Sequence, residues 1–324
     1  MPSTAGSSTT FEDSVPGVKA RVTVASPASS ANLGAGFDVF ALALQKPVDT
    51  LTLQRSGSGV RLHVEGLHLD TPPSKNVVAG VASSVISGEG IREGVSLKLH
   101  KGVPVGTGLG SSAASSAAAA VGMNALFDLG LDREKLIEYA GVGEKIASGA
   151  AHYDNVSAAI VGGFVIVSGD HRVVGMKAPP QLALCLATPS VRLPKRKTEY
   201  ARTLVPKHLS LDGAVSTVAS ASMMVYGFSG GDLGWIGRGM QGGFVDPRRS
   251  IMIPGFEEVR KSALKAGALG VCISGAGPTV LAATARGKAR GVLESMLHGF
   301  KGAGVRSEGF VTGVGGGSRI IEQV

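Results

Sequence analysis

The 324-residue sequence predicts an α+β protein built from two units. Three observations carry this. Stretches such as 60–64 and 95–101 alternate apolar and polar residues with period two, as half-buried strands do. Residues 132–149 repeat apolar side chains at helical spacing. The second half then runs strand, helices, strand, turn, strand, helix, strand, the order of a split βαβ sandwich. A chain of this length holds two cores of ordinary size. Turn signals at 170–180 set the boundaries: a disordered tail 1–18, a first unit 19–172 and a second unit 173–324.

In chain order, 1–18 is rich in Ser, Thr, Pro and Gly and has no apolar core, so it reads as a tail and not as a secretory signal. Val22-Thr23-Val24-Ala25 reads as a strand and 27–38 as a loop. Strands follow at 51–53 and 60–64, suited to an antiparallel sheet. Ser74 is placed to cap a helix that carries Val77, Val78, Val81 and Val85 on one face. After the strand 95–101 and a glycine-rich loop, an alanine-rich helix spans 115–125. Asp132 caps the helix 132–149, with Leu136, Ile137 and Ala140 on its buried stripe. A short helix around 152–156 and a strand 163–167 close the first unit. The second unit reads as strand 182–187, helices 211–226, 233–240 and 256–266, strands 270–273 and 279–283, helix 288–298 and strand 305–310.

Composition excludes several classes. Hydrophobic residues make up 44% and charged residues 17%, the balance of a globular chain. No apolar run is long enough for a membrane helix. Cys185 and Cys272 both lie in apolar stretches and read as buried reduced thiols, which favours a cytoplasmic location. The net charge of +8 invites a nucleic-acid reading, but the positive charges are scattered and aromatics are only 5%. An anionic small ligand such as a nucleotide answers the same potential. We therefore expect neither nucleic acid nor membrane as partner; oligomeric state is left open, a homodimer included.

The stretch Pro104-Val105-Gly106-Thr107-Gly108-Leu109-Gly110-Ser111-Ser112-Ala113-Ala114 joins a strand to a helix. Glycines let backbone approach a ligand closely, and a helix N-terminus offers unpaired N–H groups and positive potential. That makes a phosphate loop, with a plain tight turn as the competing reading. It is not the common P-loop, which needs a Lys after its last glycine, nor a dinucleotide fingerprint, whose glycine spacing differs. Glu144 is either a solvated helix residue or, with a loop serine and phosphate oxygens, a holder of Mg²⁺, which needs few protein ligands. Asn32 and Asp38 are either turn formers or polar contacts to a small substrate. His152 and Asn155 carry the same two readings.

Pro104 to Ala114 resembles the second motif of the small-molecule kinases of galactose, homoserine, mevalonate and phosphomevalonate, the GHMP kinases. Ser274-Gly275-Ala276-Gly277-Pro278-Thr279 resembles their third. Residues 26–38, the run Ser148-Gly149-Ala150-Ala151-His152-Tyr153-Asp154-Asn155-Val156, Thr198-Glu199-Tyr200-Ala201-Arg202 and Asp246-Pro247-Arg248-Arg249 resemble the homoserine-phosphorylating branch. The resemblance implies an N-terminal domain like ribosomal protein S5 and a ferredoxin-like C-terminal domain. It implies ATP and Mg²⁺ as cofactors and transfer of phosphate to the L-homoserine hydroxyl, in threonine biosynthesis. The loop 104–114 would wrap the ATP phosphates, with Asn76 and Lys101 helping to hold the nucleotide. Ser112 and Glu144 would hold the metal. Asp38 would take the amino acid's ammonium, and Arg202 and Arg249 its carboxylate, since a guanidinium fork suits that group. Asn32, His152 and Asn155 would position its backbone and hydroxyl, with Thr198 nearby. No aspartate base is matched, so direct attack is expected, the proton passing to phosphate or water. Ala35 stands where a proline is usual and Tyr153 where a small residue is common, so Tyr153 is expected to narrow the pocket mouth. Two alternatives remain: a mevalonate or shikimate kinase of the same type, and a non-catalytic binding protein of this fold.

Overall fold

The computed structural model describes residues 19–65 and 75–324. The expected tail 1–18 and the expected cap Ser74 lie outside these residues. The first unit is a seven-stranded sheet. Its path runs β11 (Arg319–Gln323), β1 (Arg21–Asn32), β2 (Gly36–Ser56), β4 (Gly94–His100) and β3 (Val60–Glu65). β2 is 21 residues long and serves three neighbours, β1 among them. Thr50–Ser56 pairs with β4, and Phe40–Leu42 with β5 (Phe164–Val167), which forms a hairpin with β6 (Val173–Met176).

Three readings are corrected here. Residues 27–32 are strand, not loop: β1 runs on to Asn32 and its side chains are buried from Val22 onward. Small Ser and Ala residues fit that doubly covered strand, although they carry no alternation. β3 and β4 pair in parallel, so the sheet is mixed. The chain also does not divide at one point: β6 completes the first sheet, and β11 returns to it beside β1 from the far end of the sequence.

Helices α1 (Val77–Gly88), α2 (Ser111–Phe127), α3 (Arg133–Ser148) and α4 (Tyr153–Val161) pack on this sheet. Asn76 caps α1 by accepting from the Val78 N–H at 2.9 Å, and Asp132 caps α3 by accepting from Lys135 N–H at 2.8 Å. α2 is buried on almost every side, which its Ala and Ser residues permit because backbones can approach closely.

The second sheet has the order β10 (Ser307–Thr312), β7 (Leu182–Pro189), β9 (Val280–Ala285), β8 (Gly270–Ile273), with every pair antiparallel. In chain order that is 4-1-3-2, the ferredoxin-like split βαβ arrangement expected. Its helices are α5 (Lys197–Thr203), α6 (Leu211–Gly230), α7 (Leu233–Met240), the single turn α8 (Asp246–Arg249), α9 (Phe256–Lys265) and α10 (Ala289–Gly302). One apolar cluster joins both units: Phe40, Leu42 and Phe164 from the first pack with Leu184, Phe228 and Ile236 from the second. Phe164 and Phe228 stack with ring centroids 4.1 Å apart. Cys185 and Cys272 are free and buried, as expected. No helix among the described residues is long and apolar enough to cross a membrane.

Candidate active site

Three segments meet where the two sheets join: the end of β1, the glycine loop and the turn 274–278. The Ser29 N–H donates to Leu109 O (3.1 Å), the Gly275 N–H to Ala31 O (3.1 Å) and the Thr279 N–H to Thr107 O (3.2 Å). Ser274 Oγ lies 2.8 Å from both Ser30 Oγ and Gly108 O. The fit requires glycine at 108. Its φ is +88°, and a Cβ there would stand 2.5 Å from Ser274 O and 2.6 Å from Gly277 O. Gly110, also left-handed, precedes α2 and brings no side chain to cap it. The amides of the first turn, Ser111 to Ala113, therefore keep their N–H groups for an anion. Ser111 Oγ donates to Val103 O (2.9 Å) and shapes the loop from within.

Below the loop lies a residue that sequence reasoning missed. Asp49 is fully buried, and its Oδ1 accepts from the Gly102 and Val103 N–H groups at 3.0 and 2.9 Å. Its Oδ2 accepts from Ser115 Oγ (2.7 Å) and Lys101 Nζ (2.5 Å). Lys101 spends its other donors on Ser111 O (3.0 Å) and Ser115 Oγ (2.9 Å). All three donors are used within the protein, so Lys101 anchors the loop it was expected to serve as a nucleotide contact. Asn76 caps α1 through its carbonyl oxygen and keeps its NH₂ group.

Glu144 of α3 is buried, and burial pushes its carboxyl up to about 7; the charge of Asp154 adds to this and the Ser112 hydroxyl opposes it. Its Oε1 has no hydrogen-bond partner. A buried carboxylate oxygen without a donor, beside a hydroxyl and an uncapped helix, fits a divalent cation that also takes oxygens from phosphate. Among the described residues no cluster of three or more His, Cys, Asp or Glu forms a self-sufficient metal site. Asp154 is buried next along, raised to about 6 by burial and accepting from the Asn155 N–H at 2.7 Å. Asn155 Oδ1 accepts from Ser29 Oγ (2.8 Å) at the entry to α2.

A second cluster adjoins the first. Arg202 of α5 donates through Nη2 to both oxygens of Asp38, at 3.0 and 2.7 Å, and to His152 Nδ1 at 3.0 Å. His152 thus accepts as a neutral ring, and burial, then the Arg202 charge, holds its pKa down. Arg249 of α8 is buried and donates to Ala201 O (3.1 Å) and Gly275 O (3.0 Å). The Phe37 ring lies 5.4 Å from the Arg202 guanidinium and 5.2 Å from that of Arg249, a shared plate that sequence reasoning also missed. Its place just before Asp38 in the first motif was the available signal. Asn32, at φ +72°, donates to Gly275 O (2.9 Å) and accepts from the Asp38 N–H (3.2 Å), so its amide fixes the backbone that presents Asp38. Thr198 is the second residue of α5, one turn before Arg202. Tyr153 packs over Gly141 of α3 and against the His171 ring of the β5–β6 turn, 4.0 Å between centroids. The structure thus brings Asp38, His152, Arg202 and Arg249 together beside the loop, Glu144, Ser112 and Asn155.

Family models described as the GHMP kinases N-terminal domain and GHMP kinases C-terminal match residues 76–163 and 224–301, which defines the class. A homoserine kinase of Natronomonas pharaonis is 41% identical, over 93% of this chain and 100% of that protein. One of Haloarcula marismortui is 42% identical, with the same coverage of each. The crystal structure of homoserine kinase from Cytophaga hutchinsonii superposes with a TM-score of 0.87 at 35% identity, over 96% of this chain and 100% of that one. The chain belongs to the homoserine kinase family.

Proposed function

We propose that this chain transfers the terminal phosphoryl group of ATP to the side-chain hydroxyl of L-homoserine, giving O-phospho-L-homoserine and ADP. The observation that carries the reading is the opposed charge pair Asp38 and Arg202, backed by Arg249, beside a glycine loop that opens onto an uncapped helix. Phosphoryl transfer asks for alignment and charge neutralisation, with little covalent work by the protein. The loop amides and the first-turn N–H groups of α2 hold the triphosphate. Ser112 and Glu144 hold Mg²⁺, which when bound neutralises charge on the phosphates. Asp38 takes the substrate ammonium, and Arg202 and Arg249 its carboxylate.

Asn155 and His152 orient the amino acid so that its hydroxyl oxygen lies in line with the bond to be broken. That oxygen forms the new P–O bond as the bridge to ADP breaks, and its proton leaves to phosphate or water. This chemistry goes with a cytoplasmic step of threonine biosynthesis. The test is ADP release by the purified protein with L-homoserine, L-threonine, L-serine and mevalonate side by side. Homoserine is expected to give the highest kcat/KM; turnover of mevalonate without homoserine would overturn the reading.

A further inference from the structure

Lys197 opens α5, one residue before Thr198, and its ammonium turns inward and donates to Gly277 O. That carbonyl is one of the two that crowd Gly108 in the glycine loop. The ammonium therefore sits at the seam where the third-motif turn meets the loop. Its other two N–H donors find no partner among the described residues, and no carboxylate there pairs with it. Burial holds its pKa down to about 8, with the positive charge of Arg249 acting in the same direction. A part-buried ammonium with one carbonyl partner keeps two donors for a ligand. Such a group fits a place where the counter-ion arrives with a ligand.

The proposed reaction, on which this inference rests, brings two anions: the triphosphate and the amino-acid carboxylate. The carboxylate already has Arg202 and Arg249, the two guanidiniums over Phe37. The other cation near the loop, Lys101, donates to Asp49, Ser111 and Ser115. We infer that Lys197 is a catalytic residue that donates to the terminal phosphoryl group of ATP during transfer. It would act from the second unit on a nucleotide bound mainly by the first. As a point charge it neutralises the oxygens of the moving group, while the loop amides hold the ones that stay.

The test compares Lys197→Met and Lys197→Arg with the unaltered chain. In the ADP-release assay, Lys197→Met should lower kcat about 100-fold, the usual scale for removing one donor to a transition-state charge, with KM for homoserine nearly unchanged. By calorimetry, its affinity for an ATP analogue with an imido β–γ bridge should fall about tenfold, the scale of one charged hydrogen bond, while affinity for ADP holds. The pH profile supplies a third readout. Arg249 is the charged group that faces Lys197 from α8, and the loop 104–110 and turn 274–278 contribute none. kcat/KM for ATP should fall above about pH 8 in the unaltered chain, and Lys197→Arg should remove that limb. Unchanged kcat, or a raised homoserine KM at intact kcat, would overturn the assignment. So would equal weakening of ADP and the analogue. If Lys197→Met does not fold, a profile that Lys197→Arg leaves unaltered would overturn it equally. Absence of homoserine turnover in the unaltered chain would instead strike the proposed reaction.

Discussion

Lys101→Met separates a residue that builds the loop from one that touches the nucleotide. The Lys101 side chain is 6% exposed and that of Asp49 is fully buried, with Nζ and Oδ2 2.5 Å apart. At an effective dielectric of about 20, Coulomb's law gives that pair a gross attraction of about 7 kcal/mol. Desolvation of both groups takes back much of it, as the lowered pKa of Lys101 indicates, since burial there outweighs the attraction of Asp49. Removing only the cation leaves a buried carboxylate with the Gly102 and Val103 amides and the Ser115 hydroxyl. The expected loss is about 3–5 kcal/mol. Urea unfolding should show the midpoint falling by more than about 1 M. The double variant Asp49→Asn with Lys101→Met removes both charges and should recover most of that loss. Calorimetry with ADP on the double variant supplies the second axis. If Lys101→Met unfolds at the unaltered midpoint while ADP affinity collapses, Lys101 contacts the nucleotide and the reasoning fails.

Four other outcomes are expected. Gly108→Ala places a methyl group 2.5 Å from Ser274 O at φ +88°, so KM for ATP should rise at least tenfold while homoserine binding changes little, read by steady-state kinetics. Arg202→Ala should raise KM for homoserine about tenfold or more with kcat within a few-fold, the signature of lost ground-state binding. Glu144→Gln should lower kcat more than about 100-fold even at saturating Mg²⁺ and ATP; near-normal turnover would remove Glu144 from the metal site. Asp246 accepts from the Ile273 N–H at 2.9 Å, and burial raises it to about 6. The folded state then binds its proton more tightly than the unfolded chain. Its stabilising effect is complete below about pH 4 and is lost as pH rises through about 6. Asp246→Asn should flatten that dependence, which amounts to up to about 3 kcal/mol in denaturation at several pH values.

The parts of the fold that were legible in sequence have local causes. Asp132 announced α3 because a carboxylate can cap only the N–H groups just ahead of it. The second sheet was legible because its strands and helices follow in an order that few topologies satisfy. Residues 27–32 misled because Ser, Ala and Pro signal turns, whereas a strand covered on both faces and crossed by other backbones needs small residues. β11 could not be read, since its exposed five residues gain their role only by meeting β1 some 300 positions earlier. The candidate site divides in the same way. Asp38, Arg202 and Arg249 stood out through motif and Glu144 as a helix carboxylate, while Asp49 sits inside the long β2 with no motif around it. Only the fold shows that its carboxylate receives Lys101 and the loop amides together. Lys101 shows the same limit: a lysine entering a glycine loop has two anions to serve, and the sequence names only one.

The Asp38–Arg202 pair also bears on which acceptor the site takes. Asp38 and Arg202 neutralise each other, each about two-fifths exposed. A pair that open to water is worth about 1 kcal/mol or less, so separating it costs little. Under the proposed assignment, a zwitterion returns both partners at once: its ammonium replaces the guanidinium at Asp38, and its carboxylate replaces Asp38 at Arg202. The charge count around Phe37 is unchanged. A hydroxy acid without an ammonium returns only the second partner and leaves Asp38 without a cation. That stranded charge would lie near Asp154, whose buried carboxyl the charge of Asp38 already helps to raise. Under that assignment, charge exchange at this open ion pair favours an amino acid over a hydroxy acid of similar length by about 1 kcal/mol, roughly fivefold.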